Sequence, residues 1–288
     1  MSGKALAICG GGSRGLIQFG MIKAVKELNI DYGCIYAGSV GVLNTLLFVT
    51  DRMDELEHLW LTIKNSDVYS FNPFKILTLG TANASLYSSK PLEKLIRKYL
   101  DMEKIKAFPK PIIVNVNNLT TMSTLAKDIR FMNYEQCVKW ILASASPPIL
   151  FPTITINADE HCDTGILNNY SINQAVNDGY DTVICLTPTT YKPKPIKSLI
   201  DIINTTISTS SFGYLDRERK AVEKVNKVID QANVELTDDI RPIKLVVIKP
   251  DVAWSQDLID FNYKTDRKEL IQYGYNLAMT TLKKELLD

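Results

Sequence analysis

A strand, a small-residue turn and a helix follow one another twice within the first fifty residues of this chain. Residues 5–9 form an uninterrupted apolar run that ends at a glycine loop (residues 10–15), after which apolar residues recur at helical spacing. Residues 34–37 form a second apolar run, and a turn at 38–41 separates it from a buried helix over 42–49. Short continuous apolar strands that alternate with helices are typical of a parallel sheet covered on both faces.

The same alternation continues to the end of the sequence. Further strands are predicted over residues 112–116, 121–126, 153–156, 182–186 and 244–248. Further helices are predicted over residues 51–63 (with Asp51 as N-cap), 88–99, 134–145, 217–235 and 265–287, and surface loops over 65–86 and 188–195. This pattern predicts an α/β fold, a three-layer α/β/α sandwich with a largely parallel central sheet, and a single domain over residues 1–288.

Composition excludes several classes of protein. The 33 Lys and Arg residues nearly balance the 32 Asp and Glu residues, so the net charge of +1 does not favour nucleic-acid binding. No run approaches the roughly 20 apolar residues of a spanning helix, and the N-terminus lacks a signal-peptide pattern. No transmembrane segment is therefore expected.

The cysteines and histidines point to a reducing compartment and to no metal. Cys9, Cys34, Cys137, Cys162 and Cys185 are far apart in sequence and form no CxxC pair, which favours buried free thiols in a cytoplasmic or intracellular protein. With two histidines and no ligand spacing, neither a metal nor a cofactor is predicted.

The glycine loop can bind an anion, because residues without a Cβ let backbone N–H groups converge at a helix N-terminus. Its members are Gly10, Gly11, Gly12, Ser13, Arg14 and Gly15. One hypothesis is a dinucleotide site, but the acidic residue that such a site needs, Asp31, precedes the second strand instead of ending it. The other is an oxyanion hole for acyl transfer, with the charge of Arg14 available for an oxyanion or a substrate phosphate.

A serine lies in the second turn, where a nucleophile would be expected. Ala37, Gly38, Ser39, Val40 and Gly41 form an elbow between strand and helix, and small residues around Ser39 allow the tight turn that presents a hydroxyl. The alternative is that Ser39 only caps the following helix.

Asp163, followed by Thr164 and Gly165, is the candidate base for that serine. A carboxylate can replace histidine if it hydrogen-bonds the serine directly and burial raises its pKa. The alternative for Asp163 is an ordinary Asp-x-Gly turn. His58 lies among Glu and Leu residues of a predicted helix, and His161 adjoins Asp163 without a clear role. Asp159 and Glu160 are predicted to lie in a solvated turn.

Taken together, these motifs resemble those of the patatin-like phospholipases. The glycine loop is similar to their oxyanion loop, residues 37–41 to their G-x-S-x-G elbow, and residues 163–165 to their D-G-G/A segment, in the same order. Residues 143–147, residues 151–152 and Asn169 also match the family pattern. Ala37 and Thr164 depart from it, since each replaces a glycine.

The resemblance implies a Ser39–Asp163 dyad that hydrolyses fatty acyl esters of phospholipids or neutral lipids without a metal. The backbone N–H groups of Gly11, Gly12 and Ser13 would hold the oxyanion. The alternative is an inactive lipid-binding or regulatory relative. A lipid substrate also suggests a peripheral membrane surface, for which the candidate residues are Tyr69, Phe71, Phe74, Leu77 and Leu79.

Overall fold

The computed structural model describes residues 3–71, 85–190, 195–232, 237, 240–252 and 257–288. Phe74, Leu77 and Leu79, named above as membrane candidates, lie outside the described residues. The strands are β1 Lys4–Ile8, β2 Cys34–Ala37, β3 Ser70–Phe71, β4 Tyr87–Ser88, β5 Ile112–Asn118, β6 Ser123–Asp128, β7 Ile154–Ile156, β8 Asp159–Cys162, β9 Thr182–Leu186 and β10 Lys244–Ile248. The helices are α1 Gly15–Glu27, α2 Val40–Val49, α3 Met53–Thr62, α4 Asn65–Val68, α5 Lys90–Tyr99, α6 Met102–Ala107, α7 Tyr134–Ser144, α8 Ile172–Asn177, α9 Leu199–Ala232 and α10 Arg267–Leu282.

The main sheet has the strand order β10-β9-β1-β2-β5-β8-β7, and β6 also pairs with β5. The five strands from β10 to β5 are parallel, whereas β6, β7 and β8 pair antiparallel. Parallel order places the C-terminal ends of β1 and β2 at one edge, with Ile8 opposite Ala37. The glycine loop and the elbow therefore leave the sheet side by side.

Two apolar cores cover the two faces of the sheet. Side chains alternate along β1, so that Leu6 and Ile8 belong to one core and Ala5 and Ala7 to the other. The first core is completed mainly by α1, α2, α3, α5, α7 and α10, and the second by α8 and α9. The predicted three-layer α/β/α fold is thus confirmed. The five cysteines are buried and free, as predicted.

The N-terminal boundaries of two helices differ from the predictions. Helix α9 begins at Leu199 and not near residue 217. Its first half is rich in Ile, Thr and Ser, which have weak helix propensity, and it is stabilised by burial of residues such as Ile203 and Leu215. Asp51 does not cap α3, because its backbone is left-handed (φ 57°) and its side chain pairs with Lys26.

A further strand occupies residues predicted as a solvated turn. Asn157 and Ala158, both with positive φ, form a two-residue hairpin turn between β7 and β8. Asp159 and Glu160 consequently lie in β8, where Asp159 accepts a hydrogen bond from Asn118 and Glu160 accepts one from Thr155. No helix among the described residues is both long and apolar enough to span a membrane.

Candidate active site

Ser39 and Asp163, which are 124 residues apart in sequence, are in direct contact. The Ser39 hydroxyl donates to Asp163 Oδ2 at 2.6 Å, and the Gly165 N–H donates to Asp163 Oδ1 at 2.6 Å. Asn117 Nδ2 donates to the Asp163 carbonyl at 2.8 Å and so fixes the backbone of the aspartate. Both carboxylate oxygens are thereby oriented, one of them toward the serine.

The environment of Asp163 favours a base that works near neutral pH. The residue is 5% exposed, and burial raises the pKa of its carboxyl from 3.8 to about 6. The hydrogen bonds from Ser39 and Gly165 act in the opposite direction and lower this pKa. A carboxylate with such a pKa can accept a proton from a serine during nucleophilic attack.

The elbow holds Ser39 in a strained conformation. Ser39 has φ 52° and ψ −133°, an unusual backbone for a residue with a side chain, and its N–H donates to Ser144 Oγ at 3.1 Å. The Ser144 hydroxyl in turn donates to the carbonyl of Asn115 at 2.7 Å. Helix α2 starts at the next residue, Val40, so its positive N-terminal end lies at the serine.

Both departures from the family pattern fit the local structure. Ala37 is the last residue of β2 and does not have positive φ, so its methyl group causes no strain in the turn. Thr164 is buried, and its Cγ2 lies 2.4 Å from the position that a Cβ on Gly38 would occupy. The methyl group of Thr164 therefore uses space that the glycine of the elbow leaves open.

The glycine loop lies against the serine. A Cβ on Gly10 would be 2.7 Å from Ser39 Cβ, so glycine is what permits this close approach. The N–H of Gly10 donates to Asn169 Oδ1 at 2.7 Å, and the N–H of Ser13 donates to the carbonyl of Leu258 at 2.7 Å. Gly41 lies in the first turn of α2 and Gly15 starts α1.

Three backbone N–H groups around the serine are available for an anion. Within the described part of the chain, the N–H groups of Gly11, Gly12 and Val40 have no hydrogen-bond partner. Of the predicted donors, Ser13 is engaged with Leu258. Arg14 does not line the cavity: it is largely buried, which lowers its pKa, and the nearby Asp257 carboxylate raises it.

A mainly apolar cavity of about 100 Å³ opens next to these groups. Its polar end contains Ser39, Asp163 and the first three glycines of the loop. Apolar residues of five helices and of one segment near the C-terminus form much of the remaining wall: Val40, Leu43, Trp60, Leu92, Leu95, Ile96, Ile141, Ile207, Phe212, Leu258, Ile259 and Phe261. An apolar group attached to the reacting carbonyl would contact this wall.

The two histidines lie apart from this chemistry. His58 is exposed on α3, and His161 is buried in β8, where its Nδ1 lies 3.0 Å from the Asp159 carbonyl. In the described structure neither ring hydrogen-bonds to Ser39 or Asp163. No group of three or more His, Cys, Asp or Glu side chains among the described residues is arranged to hold a metal ion.

Several residues that shape the site were not predicted to do so. Ser144 and Asn169 belong to the stretches that resemble the family, but the sequence assigned them no contact. Asn117 had a detectable signal, since asparagines interrupt an otherwise apolar strand at residues 115, 117 and 118. The contribution of residues 257–263 had no such signal.

Comparison with known proteins identifies the family and agrees with the fold. A family model described as patatin-like phospholipase matches residues 6–176, more than half of the chain. The crystal structure of VipD from Legionella pneumophila superimposes with a TM-score of 0.50 at 12% sequence identity. That alignment covers 99% of this chain and 67% of VipD, and at this identity it shows similarity of fold alone. No curated protein matches the sequence.

Proposed function

Because the chain belongs to the patatin-like phospholipase family, we propose that it is a lipid acyl hydrolase that cleaves fatty acyl esters with a Ser39–Asp163 dyad. The observation that carries this proposal is the 2.6 Å hydrogen bond from the Ser39 hydroxyl to a buried carboxylate, at the polar end of an apolar cavity. The substrates would be phospholipids or neutral lipids, and no metal or cofactor would take part.

In the first half of the reaction, Ser39 Oγ attacks the ester carbonyl carbon while Asp163 Oδ2 takes the hydroxyl proton. The carbonyl oxygen becomes an oxyanion, which the free N–H groups of Gly11 and Gly12 stabilise. When the tetrahedral intermediate collapses, the bond from the carbonyl carbon to the alkoxy oxygen breaks. Asp163 returns the proton to that oxygen, so the lipid leaves as an alcohol and the acyl group stays on Ser39.

In the second half, water hydrolyses the acyl-enzyme. Asp163 takes a proton from the water as its oxygen attacks the acyl carbon, and the same N–H groups hold the second oxyanion. The bond to Ser39 Oγ then breaks, Ser39 regains its proton from Asp163, and the fatty acid is released. One carboxylate thus serves both steps, which requires the same oxygen to reach the serine and the water.

The apolar wall of the cavity supports a fatty acyl chain as the group that is transferred. The wall beyond Ser39 is built from side chains such as Leu43, Ile96, Ile141 and Phe261, none of which can pair with a charged head group. Burial of apolar surface gives about 25 cal/mol per Å², so an acyl chain gains binding energy along the whole wall. The polar head group would remain outside.

Peripheral contact with a membrane would give the enzyme access to such a substrate. Phe71 and Ile149 are 60% and 56% exposed, and both flank one short segment. Phe71 pairs with Tyr87 across the two short strands. The N–H of Leu86, the residue before Tyr87, donates to the Ile149 carbonyl. The next residue after Ile149, Leu150, lines the cavity, so the exposed pair adjoins the proposed acyl site.

Vesicle co-sedimentation tests this membrane contact. We expect the wild type to sediment with phosphatidylcholine vesicles and the variant Phe71→Ser/Ile149→Ser to remain in the supernatant. Equal sedimentation of both proteins would exclude this surface.

Buried free thiols fit a protein of the reducing cytoplasm, where it would meet the cytoplasmic face of a membrane.

We also propose that residues 1–288 form one domain. Strands β9 and β10 lie beyond the residues that match the family, yet they extend the same sheet next to β1. Removal of the part after residue 176 would expose the edge of β1 and much of both cores. Limited proteolysis should therefore yield no stable fragment that ends near residue 176.

The proposed reaction is tested with a fluorophosphonate probe followed by peptide mapping, together with turnover of a simple fatty ester. We expect labelling at Ser39 and hydrolysis by the wild type. Ser39→Ala should lose both, with kcat lower by about 10⁴-fold or more while the protein stays folded. Binding of lipid without turnover or labelling by the wild type would instead identify an inactive lipid-binding relative.

A further inference from the structure

One short segment near the C-terminus forms three hydrogen bonds with a single residue of the glycine loop. We define residues 257–263 as the clamp segment. The N–H of Ser13 donates to the carbonyl of Leu258 at 2.7 Å, and the Ser13 hydroxyl donates to the carbonyl of Asp257 at 2.8 Å. The carbonyl of Ser13 accepts a hydrogen bond from the hydroxyl of Tyr263. All three polar groups of Ser13 are thus bonded to the clamp segment.

The residues on either side of Ser13 also meet the clamp segment. Gly12 has φ 57°, and a Cβ there would lie 1.9 Å from the carbonyl oxygen of Leu258, so the two backbones touch. The charge of the Asp257 carboxylate opposes the effect of burial on the pKa of Arg14. The loop therefore has packing, hydrogen-bond and charge contacts with one partner.

The clamp segment is itself tied to the body of the protein. Arg267, in the first turn of α10, donates to the carbonyls of Trp60 and Ile63 at 2.8 Å each and to the carbonyl of Phe261 at 3.1 Å. The Arg267 guanidinium also lies 4.6 Å from the centre of the Tyr263 ring. The N–H of Phe261 donates to Asn65 Oδ1 at 2.5 Å. These contacts therefore anchor the segment to α4 and α10.

We propose that the clamp segment positions the oxyanion donors, with Tyr263 as a positioning residue that acts through Ser13. Glycine has the greatest backbone freedom of any residue, so Gly11 and Gly12 need an external restraint to keep their N–H groups converging on one point. Ser13, fixed at its N–H, hydroxyl and carbonyl, supplies that restraint. The inference rests on the proposed hydrolase function and extends it to residues outside the family-matched range 6–176.

The test compares Tyr263→Phe, which removes only the hydroxyl bonded to Ser13, with the wild type. Tyr275→Phe is the matched control, because its hydroxyl bonds to Glu27 on an exposed surface of α1 and α10. Two measurements are made on each folded protein. The first is amide hydrogen exchange of the peptide that contains Ser13, and the second is kcat and KM for a fatty ester over a range of pH.

We expect the Ser13 amide to exchange faster in Tyr263→Phe and kcat to fall about 3- to 10-fold, the usual effect of one lost neutral hydrogen bond. KM should change by less than about twofold, because ground-state binding to the apolar wall is untouched. The pH midpoint should stay in place, because the surroundings of Asp163 are unchanged. Tyr275→Phe should match the wild type in every measurement.

Different outcomes reject the positioning role of Tyr263 and the proposed hydrolase function. An active wild type with Tyr263→Phe equal to it in kcat would overturn the positioning role. A rise in KM alone would also overturn it, because it would make Tyr263 part of the pocket wall only. An inactive wild type would reject the hydrolase function itself. In that case, exchange at Ser13 that is the same in Tyr263→Phe and in the wild type would also reject the restraint on the loop. Faster exchange in Tyr263→Phe would show that the restraint is a feature of the fold.

Discussion

Replacement of Asp163 by Asn should remove turnover and also a pH-dependent part of the protein's stability. Burial raises the pKa of this carboxyl from 3.8 to about 6, so the folded protein binds the proton more tightly than the unfolded chain does. The resulting stabilisation is complete below the unfolded value of 3.8 and is lost as the pH rises through about 6. An amide does not titrate, so Asp163→Asn lacks this dependence.

The size of the effect follows from the two pKa values. A difference of roughly two pKa units corresponds to about 3 kcal/mol over the whole titration, at about 1.36 kcal/mol per unit. Much of it lies below pH 5, and about 1.4 kcal/mol remains between pH 5 and pH 8. Over that range, the free energy of unfolding of the wild type should fall by about this amount relative to Asp163→Asn.

Urea unfolding followed by circular dichroism at pH 5, 6, 7 and 8 measures the difference. Ser39→Ala should show a stronger pH dependence than the wild type, because it removes a hydrogen bond that lowers the pKa of Asp163. Glu218→Gln is the matched control away from the site: burial raises the pKa of Glu218 to about 7, so its loss should alter the pH dependence of stability but not ester turnover.

One result would refute the argument. If the wild type and Asp163→Asn differ in unfolding free energy by the same amount at every pH from 5 to 8, the carboxylate does not titrate in this range in the folded protein. The general base would then need another explanation, even if Asp163→Asn is inactive.

Four further predictions concern activity. The kcat/KM of the wild type should fall about tenfold per pH unit below about pH 6, because protonated Asp163 accepts no proton; a flat profile from pH 4 to 7 would contradict this. His58→Ala/His161→Ala should keep most of its turnover, whereas a histidine-dependent triad would lose it. Ala37→Gly should stay within about twofold in kcat and lose about 0.5–1 kcal/mol of unfolding free energy in urea. Gly12→Ala should lower kcat by about 10²-fold or more, because its Cβ meets a backbone carbonyl, and near-normal kcat would place the oxyanion hole elsewhere.

The parallel strands were predictable because they are buried on both faces. Strands β9 and β10 occupy residues 182–186 and 244–248, as predicted from uninterrupted apolar runs. A strand with both faces in a core does not alternate apolar and polar residues, so it is visible in the sequence as one continuous apolar run. Strand β8 could not be found this way, because its residues Asp159 and Glu160 are polar and bond to side chains on neighbouring strands.

Local sequence determined the three motifs that carry the proposed chemistry: a glycine loop after β1, a small-residue elbow at Ser39 and an Asp-x-Gly turn at Asp163. Each is recognisable because its backbone geometry depends on residues next to it in the chain. Only the tertiary structure brings the Ser39 hydroxyl onto a buried carboxylate, a contact that the family resemblance had implied. It alone decided that residues 257–263 bind Ser13, which leaves the N–H groups of Gly11, Gly12 and Val40 free. Contacts between distant residues depend on how helices and strands pack, and no short-range pattern encodes that packing.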